Sequence, residues 1–299
     1  MTRPGGVGIY APAGFALDPP AIDRAVQRLE TMWEQVVVDP TCRMRFQRFA
    51  AGDDERLASI LRMAGDPRID VAMTLRGGYG WTRLLPRLDF AALAAANKRW
   101  LGYSDFTNFQ LAALARAGMK TFAGPTVSGD FGATTPSTFT LEHCLGVLDQ
   151  SRYAVDCALE GPDVACTGTL WGGNLAIVAH LVGTRYFPEI DRGILFLEDV
   201  GETPYRIERM LYQLHHAGVL ARQSAILLGR FTEYALSDND GGYDIDAAIA
   251  QIRSVCATPI LTGLPFGHVP EKLTLPVGGQ CELTVRAGEG TLVFSDYGR

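Results

Sequence analysis

The chain has 299 residues, of which 47% are hydrophobic, with a formal net charge of −6 and an isoelectric point near 5.4. This length favours two domains with substantial cores, and the acidic balance argues against a nucleic-acid-binding surface. No apolar run reaches the ~18 residues that cross a bilayer. The first residues lead directly into a strand pattern at Val7, which leaves no room for a signal peptide. We therefore expect a cytoplasmic protein with no membrane insertion and no nucleic-acid partner.

The first half of the chain alternates strand and helix patterns. Residues 7–11, 36–38 and 69–75 favour strands, whereas residues 19–35 and 53–63 favour helices. This alternation predicts an α/β fold, with an N-terminal α/β domain over residues 1–150 built on a mainly parallel sheet.

The periodicity lapses after Gln150, which predicts a linker over residues 151–165. Residues 166–299 then predict a C-terminal mixed α/β domain rich in β structure. Its predicted elements are helices at 173–182 and 204–217, strands at 193–197 and 225–228, and a tail with period-two alternation at 273–275, 282–285 and 292–294 that favours a hairpin.

A strand-to-helix turn with a serine is the first candidate for chemistry. Gly102-Tyr103-Ser104-Asp105 lies between the apolar pair 100–101 and a helical pattern that starts at Phe106. A serine on such a turn projects its hydroxyl clear of the backbone, beside the free N–H groups of the helix start. Ser104 is therefore either a nucleophile or a helix cap. The second glycine of a Gly-x-Ser-x-Gly turn is absent, because Phe106 occupies that position.

Two later segments supply partners for such a serine. Residues 194–202 begin as a buried-strand pattern and contain three carboxylates, Glu198, Asp199 and Glu202, any of which is a candidate to orient a base. His268 lies in a loop fixed by glycine and two prolines, a rigid setting that suits a general base. Glu271 is a further acidic candidate, or else a loop ion-pair partner. A serine hydroxyl becomes nucleophilic when an imidazole takes its proton and a carboxylate orients that imidazole.

Two glycine-rich segments remain open to more than one interpretation. Residues 76–80 follow a predicted strand; they lack the Lys-Ser/Thr of a phosphate loop, and suit either a plain turn or backbone donors to an oxyanion. Residues 172–174 suit either a helix start capped by Asn174 or part of a substrate wall.

The cysteines and the other histidines predict no metal site. The six cysteines form no C-x-x-C pair and are expected to be reduced, mostly buried, small apolar side chains. His215 and His216 are adjacent and so point in different directions on a helix, while His143 and His180 lie in helical patterns as packed or solvated side chains.

Five segments in order resemble the successive motifs of the LD-carboxypeptidase, or muramoyltetrapeptide carboxypeptidase, family. They span nearly the whole chain: residues 76–80, 102–105, 172–175, 196–202 and 263–268. The resemblance implies a Ser-His-Glu triad of Ser104, His268 and Glu198 that removes the terminal D-alanine from a murein tetrapeptide, with the cleft between the two halves. It implies a serine mechanism with no cofactor and no metal, and a homodimer.

The resemblance also assigns backbone and substrate contacts. The N–H groups of Gly78 and Asp105 would form the oxyanion hole, and Gly77, Trp171 and Asn174 are candidate substrate-binding residues. The family includes microcin-C immunity peptidases, which cleave peptidyl-nucleotide conjugates, and Trp171 is the aromatic residue suited to a nucleotide base. Such an immunity-type peptidase is the alternative function, and a non-catalytic peptide-binding protein is a more remote one.

Overall fold

A computed structural model describes residues 3–298, which form two β-sheets flanked by helices. The first two residues, part of the segment that predicted no signal peptide, lie outside the described residues. The strands are β1 Arg3–Tyr10, β2 Trp33–Val38, β3 Val71–Thr74, β4 Arg99–Gly102, β5 Thr121–Ala123, β6 Tyr153–Ala158, β7 Val164–Asn174, β8 Ile194–Val200, β9 Ala225–Thr232, β10 Ile260–Thr262, β11 Leu275–Val277, β12 Gln280–Arg286 and β13 Glu289–Ser295. The α-helices are α1 Pro20–Glu30, α2 Asp53–Gly65, α3 Phe90–Ala95, α4 Thr107–Ala117, α5 Thr138–Asp149, α6 Leu175–Leu181, α7 Pro204–His216 and α8 Ile245–Val255.

The first sheet has the strand order β11-β5-β4-β3-β1-β2 and is parallel except for β11, which runs antiparallel to β5. This arrangement confirms the α/β class with a mainly parallel sheet. The helix predicted over residues 19–35 ends at Glu30 instead, because Trp33, only 3% exposed, already belongs to β2 beside β1. Pairing with a central strand here outweighs the helical spacing of the sequence.

The second sheet has the order β10-β9-β8-β7-β12-β13-β6, with β7 to β10 parallel and the other strands antiparallel. The hairpin of β12 and β13 agrees with the predicted tail over residues 282–294, but residues 273–275, predicted as part of that tail, lead into β11, which pairs with β5 in the first sheet. The predicted linker over residues 151–165 is not wholly irregular, because Tyr153–Ala158 forms β6 at the edge of this sheet. The strand β11, although late in the chain, completes the first sheet.

The helix α4 connects the two sheets at the level of the site. Seven of its residues are buried, including Thr107, Asn108 and Gln110, and it contacts β5, β7 and α6. A helix buried around most of its circumference has little freedom to shift. The start of α4, immediately after Ser104, is therefore fixed relative to both sheets.

Within residues 3–298, no helix combines the length and the apolar character needed to cross a membrane.

Candidate active site

Ser104 lies on a sharp turn between β4 and α4. Its φ of +65° is in the left-handed region, which costs a non-glycine residue about 1–2 kcal/mol. Its hydroxyl makes no cap hydrogen bond at the helix start; instead Oγ lies 3.0 Å from Nε2 of His268. A strained backbone that presents a side chain to an imidazole is typical of a nucleophile rather than of a cap.

His268 connects Ser104 to a buried carboxylate. Its Nδ1 lies 2.7 Å from Oε2 of Glu198, a β8 residue whose side chain is fully buried, while the His268 side chain keeps 18% exposure. The ring of Tyr103 packs against the imidazole with a 4.9 Å centroid separation. The loop itself is held by backbone hydrogen bonds, including the one that Arg230 N–H donates to the carbonyl of Phe266. The three side chains Ser104, His268 and Glu198 thus form a continuous hydrogen-bonded chain.

The neighbouring carboxylates have other partners. Asp199 accepts hydrogen bonds from the backbone N–H groups of Ala176 and Val200 and from the Asn174 side chain, and burial raises its pKa to about 6. Glu202 forms an ion pair with Arg206 on the following helix. For Glu271, which the sequence suggested as an ion-pair partner, no basic side chain pairs with it within residues 5–298. Glu198 is therefore the carboxylate that contacts His268.

Asn174 donates a hydrogen bond to Glu198, the carboxylate that contacts His268. Its side-chain amide donates to Oε1 of Glu198 at 3.3 Å and to Asp199 at 2.8 Å, and its Oδ1 accepts from the N–H of Ile177 to cap α6. Asn174 is only 6% exposed. Of the two interpretations open for this residue, the structure therefore displays the helix cap, with an added hydrogen bond to Glu198.

The carboxylate of Asp105 has a role that the sequence did not reveal. It accepts hydrogen bonds from the backbone N–H groups of Gly80 and Trp81, at 2.8 and 3.0 Å, and one from the Asn108 amide. Burial raises the pKa of Asp105, while these donors act in the opposite direction. This carboxylate fastens the glycine-rich loop to the turn that carries Ser104. The sequence signal was an acidic residue next to the serine, without any indication of its partners.

The glycine-rich loop lies directly against Ser104. A Cβ on Gly77 would come within 2.7 Å of Cβ and 2.9 Å of Oγ of Ser104, so only glycine allows this approach. Gly78 has a φ of +89°, and its N–H donates to no acceptor among the described residues. A backbone N–H without an acceptor, in a loop that packs on the Ser104 side chain, suits the stabilisation of a developing oxyanion.

Two family models match the chain, the LD-carboxypeptidase N-terminal domain over residues 7–124 and the LD-carboxypeptidase C-terminal domain over residues 167–283. The probable murein peptide carboxypeptidase of Bacillus subtilis is 30% identical over 93% of this chain and 88% of its own length. The chain belongs to the LD-carboxypeptidase family. Its family is one of serine-type carboxypeptidases, and the resemblance inferred from the motifs is confirmed.

Three further proteins are similar to this chain over most of its length. The murein tetrapeptide carboxypeptidase of Pseudomonas aeruginosa is 30% identical over 92% of this chain and 91% of its own length. The crystal structure of muramoyltetrapeptide carboxypeptidase from Oxalobacter formigenes is 44% identical, covers 97% of this chain and 99% of that chain, and has a TM-score of 0.91. The microcin C7 self immunity protein shares the fold, with a TM-score of 0.90 at 23% identity over 100% of this chain and 98% of that chain.

Trp171 does not contribute a surface to the site of this family member. Its side chain is fully buried, its indole N–H donates to Oε1 of Gln223 at 2.9 Å, and its ring packs on Phe187. The prediction of Trp171 as a substrate contact is therefore corrected: the indole packs in the protein core and presents no exposed surface to a ligand.

The remaining histidines and cysteines lie apart from Ser104. His143 shares a hydrogen bond with the Tyr153 hydroxyl at 2.9 Å, and the other three lie on α6 and α7. Four cysteines, Cys42, Cys144, Cys256 and Cys281, are buried, and the other two are half-buried. Within residues 3–298, no group of three or more His, Cys, Asp or Glu side chains is arranged to hold a metal ion.

Proposed function

We propose that this chain is a serine carboxypeptidase that hydrolyses the L,D-peptide bond releasing terminal D-alanine from murein tetrapeptides. The observation that carries the proposal is the chain of hydrogen bonds from Ser104 through His268 to Glu198, at 3.0 and 2.7 Å. Relatives named murein peptide and murein tetrapeptide carboxypeptidase support the substrate class.

In the proposed acylation step, Oγ of Ser104 attacks the carbonyl carbon of the scissile bond while Nε2 of His268 takes the hydroxyl proton. The carbonyl electron pair moves onto oxygen, and the N–H groups of Gly78 and Asp105 stabilise the resulting oxyanion. The imidazolium then donates its proton to the nitrogen of D-alanine as the C–N bond breaks. Glu198 holds the Nδ1–H tautomer of His268 and stabilises its charged form.

In the proposed deacylation step, His268 takes a proton from water, and the hydroxide oxygen attacks the ester carbonyl held on Ser104. The same two backbone donors stabilise the second oxyanion. The proton returns from His268 to Oγ when the ester bond breaks. One imidazole therefore acts as base and then as acid in each half of the reaction.

The proposed specificity for an L,D bond follows from attack geometry. The residue that bears the scissile carbonyl has an L centre in the tetrapeptide and a D centre at the D-Ala-D-Ala end of the pentapeptide. Inverting this centre while its side chain stays bound swings the carbonyl away from Gly78 and Asp105. Attack tolerates little displacement, so we expect the pentapeptide end to remain intact.

The proposal is tested by offering the purified protein three substrates side by side: L-Ala-D-Glu-diaminoacyl-D-Ala tetrapeptide, the corresponding pentapeptide, and a peptidyl-adenylate analogue. Mass spectrometry is expected to find free D-alanine from the tetrapeptide alone. Preferential cleavage of the adenylate with an intact tetrapeptide would overturn the murein assignment in favour of the immunity-type alternative. Binding of the tetrapeptide without any product would favour the non-catalytic alternative.

We further propose that the protein works in peptidoglycan recycling as a cytoplasmic homodimer. The family membership supports these assignments. Light scattering after size exclusion tests the dimer, and a monomeric mass at micromolar concentration would contradict it. Accumulation of tetrapeptide in the cytoplasmic fraction of a deletion strain tests the recycling role.

A further inference from the structure

Arg76 is a half-buried cation beside the site, and no acidic side chain within residues 5–298 pairs with it. Its guanidinium donates to the carbonyl of Phe15 at 3.3 Å. Burial lowers the pKa of Arg76, yet arginine stays charged in proteins. A partly desolvated cation without a counter-ion is an unfavourable arrangement unless a ligand supplies the negative charge.

The guanidinium lies beside the glycine-rich loop of the site. Nη1 of Arg76 lies 3.4 Å from the position that a Cβ on Gly78 would occupy, and Gly77 between them packs on Ser104. The charge of Arg76 lowers the pKa of Tyr103 against the rise that burial causes, and the Tyr103 ring packs on His268. The cation therefore lies beside Gly78, the proposed oxyanion donor, in the loop that packs on Ser104.

We propose that Arg76 binds the C-terminal carboxylate of the substrate and thereby makes the enzyme a carboxypeptidase rather than an endopeptidase. The inference rests on the proposed function, because a terminal carboxylate follows directly after the scissile bond in that reaction. Consecutive Cα atoms are about 3.8 Å apart. The carboxylate of a single released residue therefore lies within one residue of the carbonyl at Gly78, where Arg76 is found. A guanidinium holds such a carboxylate with two parallel hydrogen bonds.

Two other buried cations near the site already have carboxylate partners. Lys272, whose Nζ lies 5.0 Å from the Tyr103 ring centroid, is buried in an ion pair with Asp130. Arg56 is fully buried, pairs with Asp53 and donates to backbone carbonyls that include that of Gly80. Both cations are neutralised inside the protein. Arg76 differs because its charge remains available to a ligand.

The test compares a tetrapeptide that ends in a D-alanine carboxylate with the same peptide ending in D-alaninamide. We expect the enzyme to prefer the free acid by about 100-fold in kcat/KM, the factor expected from charge-assisted hydrogen bonds of this kind. Arg76→Gln should lower kcat/KM for the free acid by the same factor and leave kcat/KM for the amide unchanged. The preference of Arg76→Lys for the free acid should lie between those of the unchanged enzyme and of Arg76→Gln, because lysine keeps the charge without the planar guanidinium.

The matched control is Arg48→Gln, which removes a nearby exposed arginine that stacks on Tyr79 and should leave the acid-to-amide ratio unchanged. If Arg76 only supports the loop through its hydrogen bond to the carbonyl of Phe15, Arg76→Gln will lower kcat/KM for both substrates by the same factor. An equal loss overturns the inference, and so does an enzyme that accepts acid and amide equally well.

A binding experiment separates failure of this inference from failure of the proposed function. Calorimetry on the Ser104→Ala protein measures both peptides without turnover, and Ser104→Ala/Arg76→Gln should lose the preference for the acid. An enzyme that releases no D-alanine but shows this Arg76-dependent preference would contradict the proposed function alone. Retention of the preference without Arg76 would contradict the inference alone, and binding of neither peptide would overturn both.

Discussion

The two halves of the site are held in place by different means. On the side of the first sheet, the backbone sets the geometry: Ser104 has a left-handed φ of +65°, and Gly77 packs directly on its side chain. On the side of the second sheet, side-chain hydrogen bonds set it, because Glu198 contacts both His268 and Asn174 inside the protein.

Each half is therefore sensitive to a different kind of change. A nucleophile positioned by backbone is sensitive to added atoms and to changes in permitted φ. A base positioned by buried charge is sensitive to the loss of a hydrogen-bond donor and to pH.

The largest loss of kcat is expected from substitutions of Ser104 and His268, whose hydrogen bond joins the two halves of the site. Ser104→Ala and His268→Ala should each lower kcat by about 10⁴–10⁶-fold, because the two groups act as one unit, and Glu198→Gln should be less severe. Steady-state kinetics of the single variants and of the Ser104→Ala/His268→Ala double variant measure this. A double variant far slower than either single would show that the two residues do not share one mechanism. Circular dichroism should show all of them folded.

The backbone half is tested by Gly77→Ala. The added methyl group would lie 2.7 Å from Cβ and 2.9 Å from Oγ of Ser104, so the hydroxyl must move. We expect a loss of about 100-fold in kcat, since a displacement of about 1 Å has this effect. The matched control is Gly65→Ala at the end of α2, where an added Cβ meets nothing within 4 Å. Equal activity of the two variants would contradict a nucleophile positioned by the loop.

The buried charge of the second half predicts a pH dependence of stability. The pKa of Asp199 is raised by burial from 3.8 to about 6, so the native state binds this proton more tightly than the unfolded state. Its contribution is fully present below pH 3.8 and is lost as the pH rises to about 6. Each pKa unit corresponds to about 1.4 kcal/mol.

The Asp199→Asn variant isolates this contribution, because asparagine does not titrate. Urea unfolding of both proteins across this pH range should show the variant gaining in relative stability as the pH rises. A difference in unfolding free energy that stays constant across the window would contradict the raised pKa. The absolute stability of the variant is expected to be lower, because Ala176 N–H and Val200 N–H both need acceptors.

The hydrogen-bond support of Glu198 is tested by substitutions of Asn174. Asn174→Ala removes the α6 cap and the donor to two carboxylates, so we expect a loss of about 1–2 kcal/mol in unfolding free energy together with lower kcat. Asn174→Asp keeps the cap acceptor but adds a carboxylate beside two others, and its defect should be relieved at low pH. The control Ser137→Ala removes the cap of α5 and should reduce stability without changing kcat. A matching loss of kcat in the control would contradict a specific role for Asn174.

The smallest effect concerns the strain at Ser104. Glycine adopts the left-handed region freely, whereas alanine does not, so Ser104→Gly should be more stable than Ser104→Ala by about 1 kcal/mol. Urea denaturation of the two inactive variants measures the difference directly. Equal unfolding free energies would show that this turn is not strained.

Local patterns were sufficient to predict much of the fold and of the site. The alternation of strands and helices, the turn at Ser104, the glycine loop and the histidine in its proline-fixed loop all depend on neighbouring residues. The helix α1 was predicted too long because periodicity alone could not reveal that Trp33 pairs beside β1. The strand β6 was mistaken for a linker because its partner β13 lies far along the chain.

The sequence alone is enough to identify the residue types of the site and to predict the local turns that present them, since these turns arise from short-range backbone preferences. The tertiary structure was needed to show that Glu198, the residue implied by the family resemblance, contacts His268, that Trp171 is buried, and that no acidic side chain within residues 5–298 pairs with Arg76. The contacts of His268 span 70 residues to Glu198 and 164 residues to Ser104. Contacts across such separations depend on how the two sheets pack around α4, which no local pattern encodes.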